Sequence, residues 1–485
     1  MNFRYLCRIL GMFLIFVSST MVLPFIWSLG AGEKIEARGF IFSLLIGVAA
    51  GLALFFAGRK ARGQDFFRRE GLAVVSLGWI LAAAIGALPY AFSPSFPGTI
   101  VDCYFESMSG FTTTGATVLA QIEAMPQSIL LWRSFTQWLG GMGIIVLFIA
   151  VLPALGVEAK HLYKGEVPGV KKAGLRPRIQ DTASLLWRIY LGLTVAELAL
   201  LKLGGMTWFD ALNHTFTTLA TGGFSTKNAS IAHFQSLYIE IIIIAFMLMV
   251  GVNFSLYAHA IRGRQVSLFR DTEFRAYMIF LVLACLLLFL SRLSFESGIT
   301  TGQNLRESAF QAVSIMTTTG YCTADFNRWN HFARILLFCL MFVGGCAGST
   351  GGSMKVIRLL MLFKLAVREV GKYFFPRQVR ALKIGDEVIA ENTMNAVAGF
   401  FALFLGFFAI GTLIMALLGM DMITAGSSVI ACMGNVGPGL AGVGPVENYG
   451  HLPQAAKLIL SGFMVLGRLE LYAVLALLAP DFWKE

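Results

Sequence analysis

Residues 111–117 read FTTTGAT and residues 316–322 read MTTTGYC. A threonine run closed by glycine offers carbonyl and hydroxyl oxygens beside a residue free to take left-handed dihedrals. In an apolar chain, such oxygens suit the replacement of a monovalent cation's hydration shell. One loop cannot encircle an ion, but alignment on the glycine recovers four. They are TTGAT at 113–117, TGGFS at 221–225, TTGYC at 318–322 and NVGPG at 435–439. The shared glycines Gly115, Gly223, Gly320 and Gly437 stand 108, 97 and 117 residues apart. The expected cation ligands are Thr112, Thr113, Thr114 and Gly115 in loop 1, and Ala220, Thr221, Gly222 and Gly223 in loop 2. Loop 3 adds Thr317, Thr318, Thr319 and Gly320, and loop 4 adds Gly434, Asn435, Val436 and Gly437. The competing reading is that the TTTG runs are small-residue packing motifs between membrane helices. Four copies in matching contexts argue against it.

The register of the repeat extends backwards. Thirteen residues before the glycines stand Asp102, Asp210, Glu307 and Thr424. Each is expected at the N-cap or first turn of a helix, where an acid or hydroxyl satisfies free N–H groups and suits the dipole. The stretch from there to the glycine is too short to cross a bilayer. Each unit therefore reads as helix, short re-entrant half-helix, glycine loop, helix. Four half-helices would aim their partly negative C-terminal ends at a central cavity, which favours a cation.

Composition agrees with a membrane setting. The chain is 57% hydrophobic and 13% charged, with mean hydropathy +0.73, against roughly 25% charged residues in soluble domains. Segments such as 41–57, 241–252, 278–290 and 397–418 are strongly apolar, and many approach the ~20 residues that span a bilayer core of about 30 Å. The expected fold is an all-α polytopic membrane protein: four helix–pore-helix–helix pseudo-repeats around a central pore, plus two N-terminal helices at about 9–29 and 40–57. That makes ten membrane-crossing segments and four half-helices. The expected units are residues 1–70, 71–160, 180–265, 272–372 and 388–485. The first apolar segment follows Arg4 and Arg8 but lacks an A-x-A cleavage site, and is expected to be a retained helix. Seven scattered cysteines form neither a disulfide framework nor a zinc pattern.

The net charge of +11 is uneven. Basic residues concentrate at 59–69, 160–178, 262–275 and 355–383, while connections 93–100 and 438–454 carry little charge. Positive-inside bias puts the basic connections and both termini in the cytoplasm, with the glycine loops opening outward. Topology thus accounts for the charge without a nucleic-acid partner.

With four pore-helix units, one glycine per loop and two extra N-terminal helices, the chain resembles the Trk/Ktr/HKT superfamily of potassium transporters, above all the bacterial TrkH subunits. The resemblance covers essentially the whole chain. It implies a potassium-permeable pore in a bacterial cytoplasmic (inner) membrane, a homodimer, and a cytoplasmic nucleotide-binding regulatory subunit of the TrkA kind. Potassium would be the transported ion, with no organic cofactor. In plant relatives a serine at the first loop glycine goes with sodium permeation, and Gly115 therefore favours potassium. The four loops share only the glycine, so fewer carbonyl layers and moderate selectivity over sodium are expected, with rubidium accepted.

Two interruptions lie in later helices. VGGCAGSTGGSMK at 343–355 places five glycines in an apolar helix that resumes at 356–366. It lacks the G-K-[ST] ending of a phosphate loop and no strand precedes it. One reading is close helix packing. The other is an intramembrane loop below the ring, 343–354, that obstructs the pore, and the resemblance implies a gate there: Gly344, Gly345, Gly348, Ser349, Gly351, Gly352 and Lys355. Lys355 would reach the pore or snorkel to the cytoplasmic surface. Arg468 follows ten apolar residues, which puts it ~15 Å into the membrane. Such a charge faces a cavity or a partner. Either it pairs with Glu470 or another carboxylate, or it opposes cations beside the loop while the gate is shut.

Three classes remain: a channel-like subunit, a secondary transporter coupling potassium to H⁺ or Na⁺, and a membrane enzyme. Coupling needs an ionisable site near the midplane, and Glu197 and Glu240 lie towards helix ends. An enzyme needs convergent groups, and no spacing unites Ser349, His214 and Asp210. Segments 160–178 and 368–391 are expected docking surfaces for a separate regulator, or lipid-facing charge.

Overall fold

The computed structural model describes residues 1–59, 68–143, 179–261, 269–296, 298–374, 382–385 and 387–483. The basic connection 160–178 lies outside these residues, and 59–69, 262–275 and 355–383 lie partly outside them.

The fold is all-helical, apart from a two-residue hairpin in which β1 (Lys383–Ile384) pairs antiparallel with β2 (Glu387–Val388). α1 (Phe3–Thr20) and α2 (Val22–Gly30) make one span, and α3 (Lys34–Ala57) returns beside it. α3 buries a stripe of small residues four apart, Gly39, Ser43, Gly47 and Gly51. Its other face exposes Ile41, Phe42, Leu45 and Ile46. An apolar outer face with small residues inside is the pattern of a helix between protein and lipid. Because the backbones nearly touch, a methyl group on Gly11 would lie 2.5 Å from both Gly51 O and Phe55 N. Gly11→Val is expected to lower thermal stability by several degrees, since overpacking costs about 1–3 kcal/mol. Gly192→Ala, where nothing lies within 4 Å, serves as the reference that holds its melting temperature. Differential scanning fluorimetry in detergent reads both.

Four units follow. The first is α4 (Arg68–Gly86), α5 (Leu88–Phe92), α6 (Ile100–Phe111) and α7 (Gln127–Gly141). The second is α8 (Ile179–Leu203), α9 (Trp208–Leu219), α10 (Leu237–Val250) and α11 (Phe254–Ile261). The third is α12 (Thr272–Phe295), α13 (Thr301–Met316), α14 (His331–Leu340) and α15 (Val356–Phe374). The fourth is α16 (Glu391–Leu417), α17 (Met422–Met433), α18 (Gln454–Arg468), α19 (Tyr472–Leu478) and α20 (Pro480–Trp483).

Among the described residues, six helices are long and apolar enough to cross a membrane without a sharp break. They are Phe3–Gly30, Lys34–Ala57, Arg69–Phe92, Ala183–Leu203, Thr272–Phe295 and Glu391–Leu417. The ten crossings counted from sequence include four helices that turn out short: α7, α10, α14 and α18 run 15, 14, 10 and 15 residues. Each stops at the level below its glycine loop. α7 ends at Gly140–Gly141, with Gly143 left-handed at φ 75°, and α10 ends at Gly251. α14 runs into the glycine-rich loop. α18 meets Glu470 and Leu471 at φ 54° and 62°, where the axis bends by 119° into α19. A positive φ at leucine is costly and is held only where surrounding structure imposes it.

Candidate functional site

The four half-helices α6, α9, α13 and α17 are 12, 12, 16 and 12 residues long, and twelve residues rise roughly 18 Å. Three begin as the repeat register requires. Thr99 and Asp102 form a capping box on α6, Thr207 accepts from Asp210 N, and Asp421 accepts from Thr424 N. Glu307 departs from that register. α13 starts at Thr301 behind the Thr300 cap, so Glu307 sits in its second turn. There it takes a hydrogen bond from Arg292 at 2.8 Å. The extra turn at the N-terminus of α13 moves the cap but not the loop.

All four half-helices end alike. The amide two residues before each glycine bonds back to the carbonyl three residues earlier: Thr113 to Gly110, Thr221 to Thr218, Thr318 to Ile315, Asn435 to Cys432, at 2.9–3.2 Å. The next amide reaches the carbonyl five residues earlier: Thr114 to Ser109, Gly222 to Thr217, Thr319 to Ser314, Val436 to Ala431, at 2.8–2.9 Å. This is the Schellman closure, whose left-handed position is usually glycine. Here it is Thr113 (φ 55°), Thr221 (53°), Thr318 (61°) and Asn435 (54°). A β-branched residue at positive φ is a genuine outlier, and three occur at one register. The loop amides are thus consumed by the half-helices, leaving the loop carbonyls for another partner.

Two residues further on, Gly115, Gly223, Gly320 and Gly437 are also left-handed, at φ 81°, 73°, 78° and 99°. A methyl on Gly115 would lie 2.1 Å from Gly222 O, on Gly223 1.9 Å from Thr319 O, on Gly320 1.9 Å from Val436 O, and on Gly437 2.6 Å from Thr114 O. Each loop's glycine is seated against the carbonyl before the next loop's glycine, and the fourth closes on the first. The four loops therefore form a closed ring. The four glycines line one cavity together. Thr112, Thr113, Thr114, Ala220, Thr221, Thr317, Thr318, Thr319, Asn435 and Val436 are all buried. At the left-handed register, Thr113 Oγ1 and Asn435 Oδ1 are buried oxygens without a protein partner. Some loop carbonyls are already engaged: Gly222 O accepts a hydrogen bond from Gln137 Nε2 at 2.7 Å, and Gly437 O accepts one from Tyr449 Oη at 2.8 Å.

Beneath the ring lies residue segment 341–355. Its ends are joined by Gly344 N–H to Met354 O at 2.8 Å. The second, third and fourth units hold it, and Arg468 links it to the first. Cys346 N–H bonds Gly251 O at 2.8 Å, and Gly348 O accepts from Phe254 N–H at 3.1 Å, both at the break after α10. Glu273 on α12 accepts from Ala347 N at 2.7 Å and Ile357 N at 3.2 Å. Gly352 N–H donates to Thr318 Oγ1 of loop 3 at 2.7 Å, and a methyl on Gly352 would lie 2.3 Å from Gly434 O of loop 4. Arg468 Nη1 donates to Thr350 O at 2.8 Å, while its Nη2 donates to Gly141 O at 2.9 Å and to Gly140 O. Gly344 and Gly345 are equally confined, with methyls 2.1 Å from Gly352 O and 2.7 Å from Gly251 O.

Lys355 is buried and does not snorkel to a surface. Its ammonium folds into the segment, donating to Gly351 O and, at 3.4 Å, to Ser349 Oγ. Arg468 does not pair with Glu470, which is bound to Arg358. Gly348, Ser349, Gly351, Gly352, Lys355 and Arg468 line one cavity. Glu240 is held by Arg306 at 2.5 Å, whereas Glu197 is fully buried in α8 with neither oxygen hydrogen-bonded. His214 and Asp210 belong to α9, and Ser349 lies in the lower segment, so these three make no common site. The sequence reading missed Glu273, Gln137 and the break after α10. A carboxylate in the first turn of the apolar helix α12 was the one available signal.

The TrkH family model, described as a cation transport protein, matches residues 36–484. The Trk system potassium uptake protein TrkH of Salmonella typhimurium strain LT2 is 42% identical over 494 residues, with both chains covered completely. The Trk system potassium uptake protein TrkG of Escherichia coli K12 is 32% identical over 484 residues, 99% of each chain. The crystal structure of the potassium transporter TrkH from Vibrio parahaemolyticus matches with a TM-score of 0.89 at 38% identity, covering all of both chains. A full-length family match, an all-helical membrane fold and a closed ring of four glycine loops agree: this chain belongs to the TrkH family of cation transport proteins and is a multi-pass membrane protein, not an enzyme.

Proposed function

We propose that the chain is the pore-forming subunit of a potassium uptake system, a passive and moderately selective path across the bacterial cytoplasmic membrane with both termini in the cytoplasm. The cyclic seating of each glycine on the next loop's carbonyl carries this reading. It gathers sixteen residues, 112–115, 220–223, 317–320 and 434–437, at one point of the membrane, where carbonyls freed from their own amides replace the ion's water. Segment 341–355, pinned directly beneath, is the gate, and Arg468 and Lys355 add positive charge there that opposes cations. A homodimer and a cytoplasmic nucleotide-binding subunit complete the system. The apolar residues Phe363, Val367, Val370 and Phe374 exposed along α15 support a dimer face.

Rubidium uptake into liposomes holding only this protein tests the reading. Uptake driven by the rubidium gradient alone, suppressed far more by potassium than by sodium, is the expected result. A sodium-to-potassium permeability ratio near one would sink the selectivity. The unpartnered carboxylate of Glu197 favours one alternative, coupling to protons. Uptake that appears only under an imposed proton or sodium gradient selects it.

A further inference from the structure

Each half-helix sends one side chain to the stretch just beyond its own glycine. Nine residues before the glycine stand Glu106, His214 and Gln311, and ten before stands Ser427. Glu106 accepts from Thr117 Oγ1 at 2.9 Å and from Val118 N at 2.9 Å. His214 Nε2 meets Ser225 Oγ at 2.9 Å, and Gln311 Nε2 reaches Thr323 Oγ1 at 3.5 Å. Ser427 Oγ donates to Leu440 O at 3.1 Å and accepts from Leu440 N at 2.9 Å. The same tie recurs in four chemistries, and loop 1 alone uses a carboxylate.

That carboxylate has a partner. Arg133 on α7 donates from Nε to Glu106 Oε1 at 2.7 Å, from Nη2 to Thr117 Oγ1 at 3.2 Å, and from Nη1 to Ser225 O at 3.3 Å. Its guanidinium lies 4.0 Å from the Phe224 ring centre. Glu106 and Arg133 are 0% and 1% exposed. A planar fork with several fixed donors orients what it holds more tightly than a lysine would. One side chain therefore ties the outer ends of loops 1 and 2 together, and Ser225 is gripped on its carbonyl by Arg133 and on its hydroxyl by His214.

We infer that the buried Glu106–Arg133 pair is a positioning element that fixes the spacing of loops 1 and 2 and thereby sets discrimination between potassium and sodium. The inference rests on the proposed potassium pore. A ring that discriminates ions by size or ligand field must resist collapse around the smaller one, and a pair bound to both loops supplies that resistance.

The test is the ratio of sodium to potassium concentrations that halve rubidium uptake into proteoliposomes. Glu106→Gln combined with Arg133→Gln leaves no unpaired buried charge, so the double variant is the one expected to fold. Its ratio is expected to fall at least threefold, with Arg133→Lys intermediate. Arg292→Gln breaks another buried cluster, with Glu296 and Glu307, that touches no glycine loop, and is expected to keep the wild-type ratio. An unchanged ratio in the folded double variant overturns the inference, and so does an equal fall in Arg292→Gln. Failure of the potassium pore itself shows separately, in the wild-type protein.

Discussion

Gly320→Ala is expected to cut rubidium uptake at least tenfold and to raise the sodium-to-potassium permeability ratio of what remains towards one, while Gly437→Ala retains clearly more of both properties. Two costs add at Gly320. Its φ of 78° is left-handed, which costs a non-glycine residue about 1–2 kcal/mol. The new methyl would also lie 1.9 Å from Val436 O and 2.7 Å from Pro438 Cδ. Both are fixed by backbone or ring, so loop 3 or loop 4 must move by more than an ångström. At Gly437 the φ of 99° imposes a similar strain, but the methyl meets Thr114 O at 2.6 Å, so a smaller displacement relieves it. Uptake and competition in proteoliposomes, with monodispersity checked for each variant, rank the two. Equal defects would mean that dihedral strain alone matters and that seating on the next carbonyl does not. Wild-type behaviour in Gly320→Ala would remove the ring from the permeation path.

The outline of this site was legible because its chemistry is repeated. Gly115, Gly223, Gly320 and Gly437 identify each other through register, and three of the four half-helix starts follow from the acid or hydroxyl thirteen residues earlier. What stayed hidden are features that local preference argues against. Nothing in propensity places Thr113, Thr221 or Thr318 in a left-handed conformation, because the cost is met by four loops packed together rather than by neighbours in sequence. Single glycines such as Gly251 are common in membrane helices, so the break after α10 carried no local signature. It exists because Cys346 and Gly348, nearly a hundred residues away, bond Gly251 O and Phe254 N there. The Glu470 alternative for Arg468 was lost for the same reason. Glu470 is two residues from Arg468 in the chain, yet the bend of 119° turns it towards Arg358.

That bend gives Arg468 its position, and Arg468→Ala is expected to raise basal rubidium uptake by roughly one to two orders of magnitude. The guanidinium joins three parts: Thr350 of the lower segment, Gly140 and Gly141 at the open end of α7, and α18 itself. Removing it frees Thr350 O from one charge-assisted hydrogen bond, worth about 1.5–3 kcal/mol. A shift of that size in the closed-to-open balance is roughly 10- to 100-fold, provided the closed form dominates at rest. Removing the positive charge acts in the same direction, because a cation below the ring then meets less repulsion. Two further variants separate these causes. Arg468→Gln keeps a donor without charge, whereas Arg468→Lys keeps the charge without the fork that reaches two units together. Uptake in the glutamine variant close to wild type, with the lysine variant leaking, identifies the hydrogen bonds to Thr350 and α7 as the latch. The reverse order identifies the charge as the barrier. Unchanged or lost uptake in folded Arg468→Ala would mean that the arginine braces the helix break and takes no part in closing the path. Gly352→Ala tests the same segment without touching its charge. The methyl would lie 2.3 Å from Gly434 O, so the segment cannot seat under the ring, and leak is expected there too.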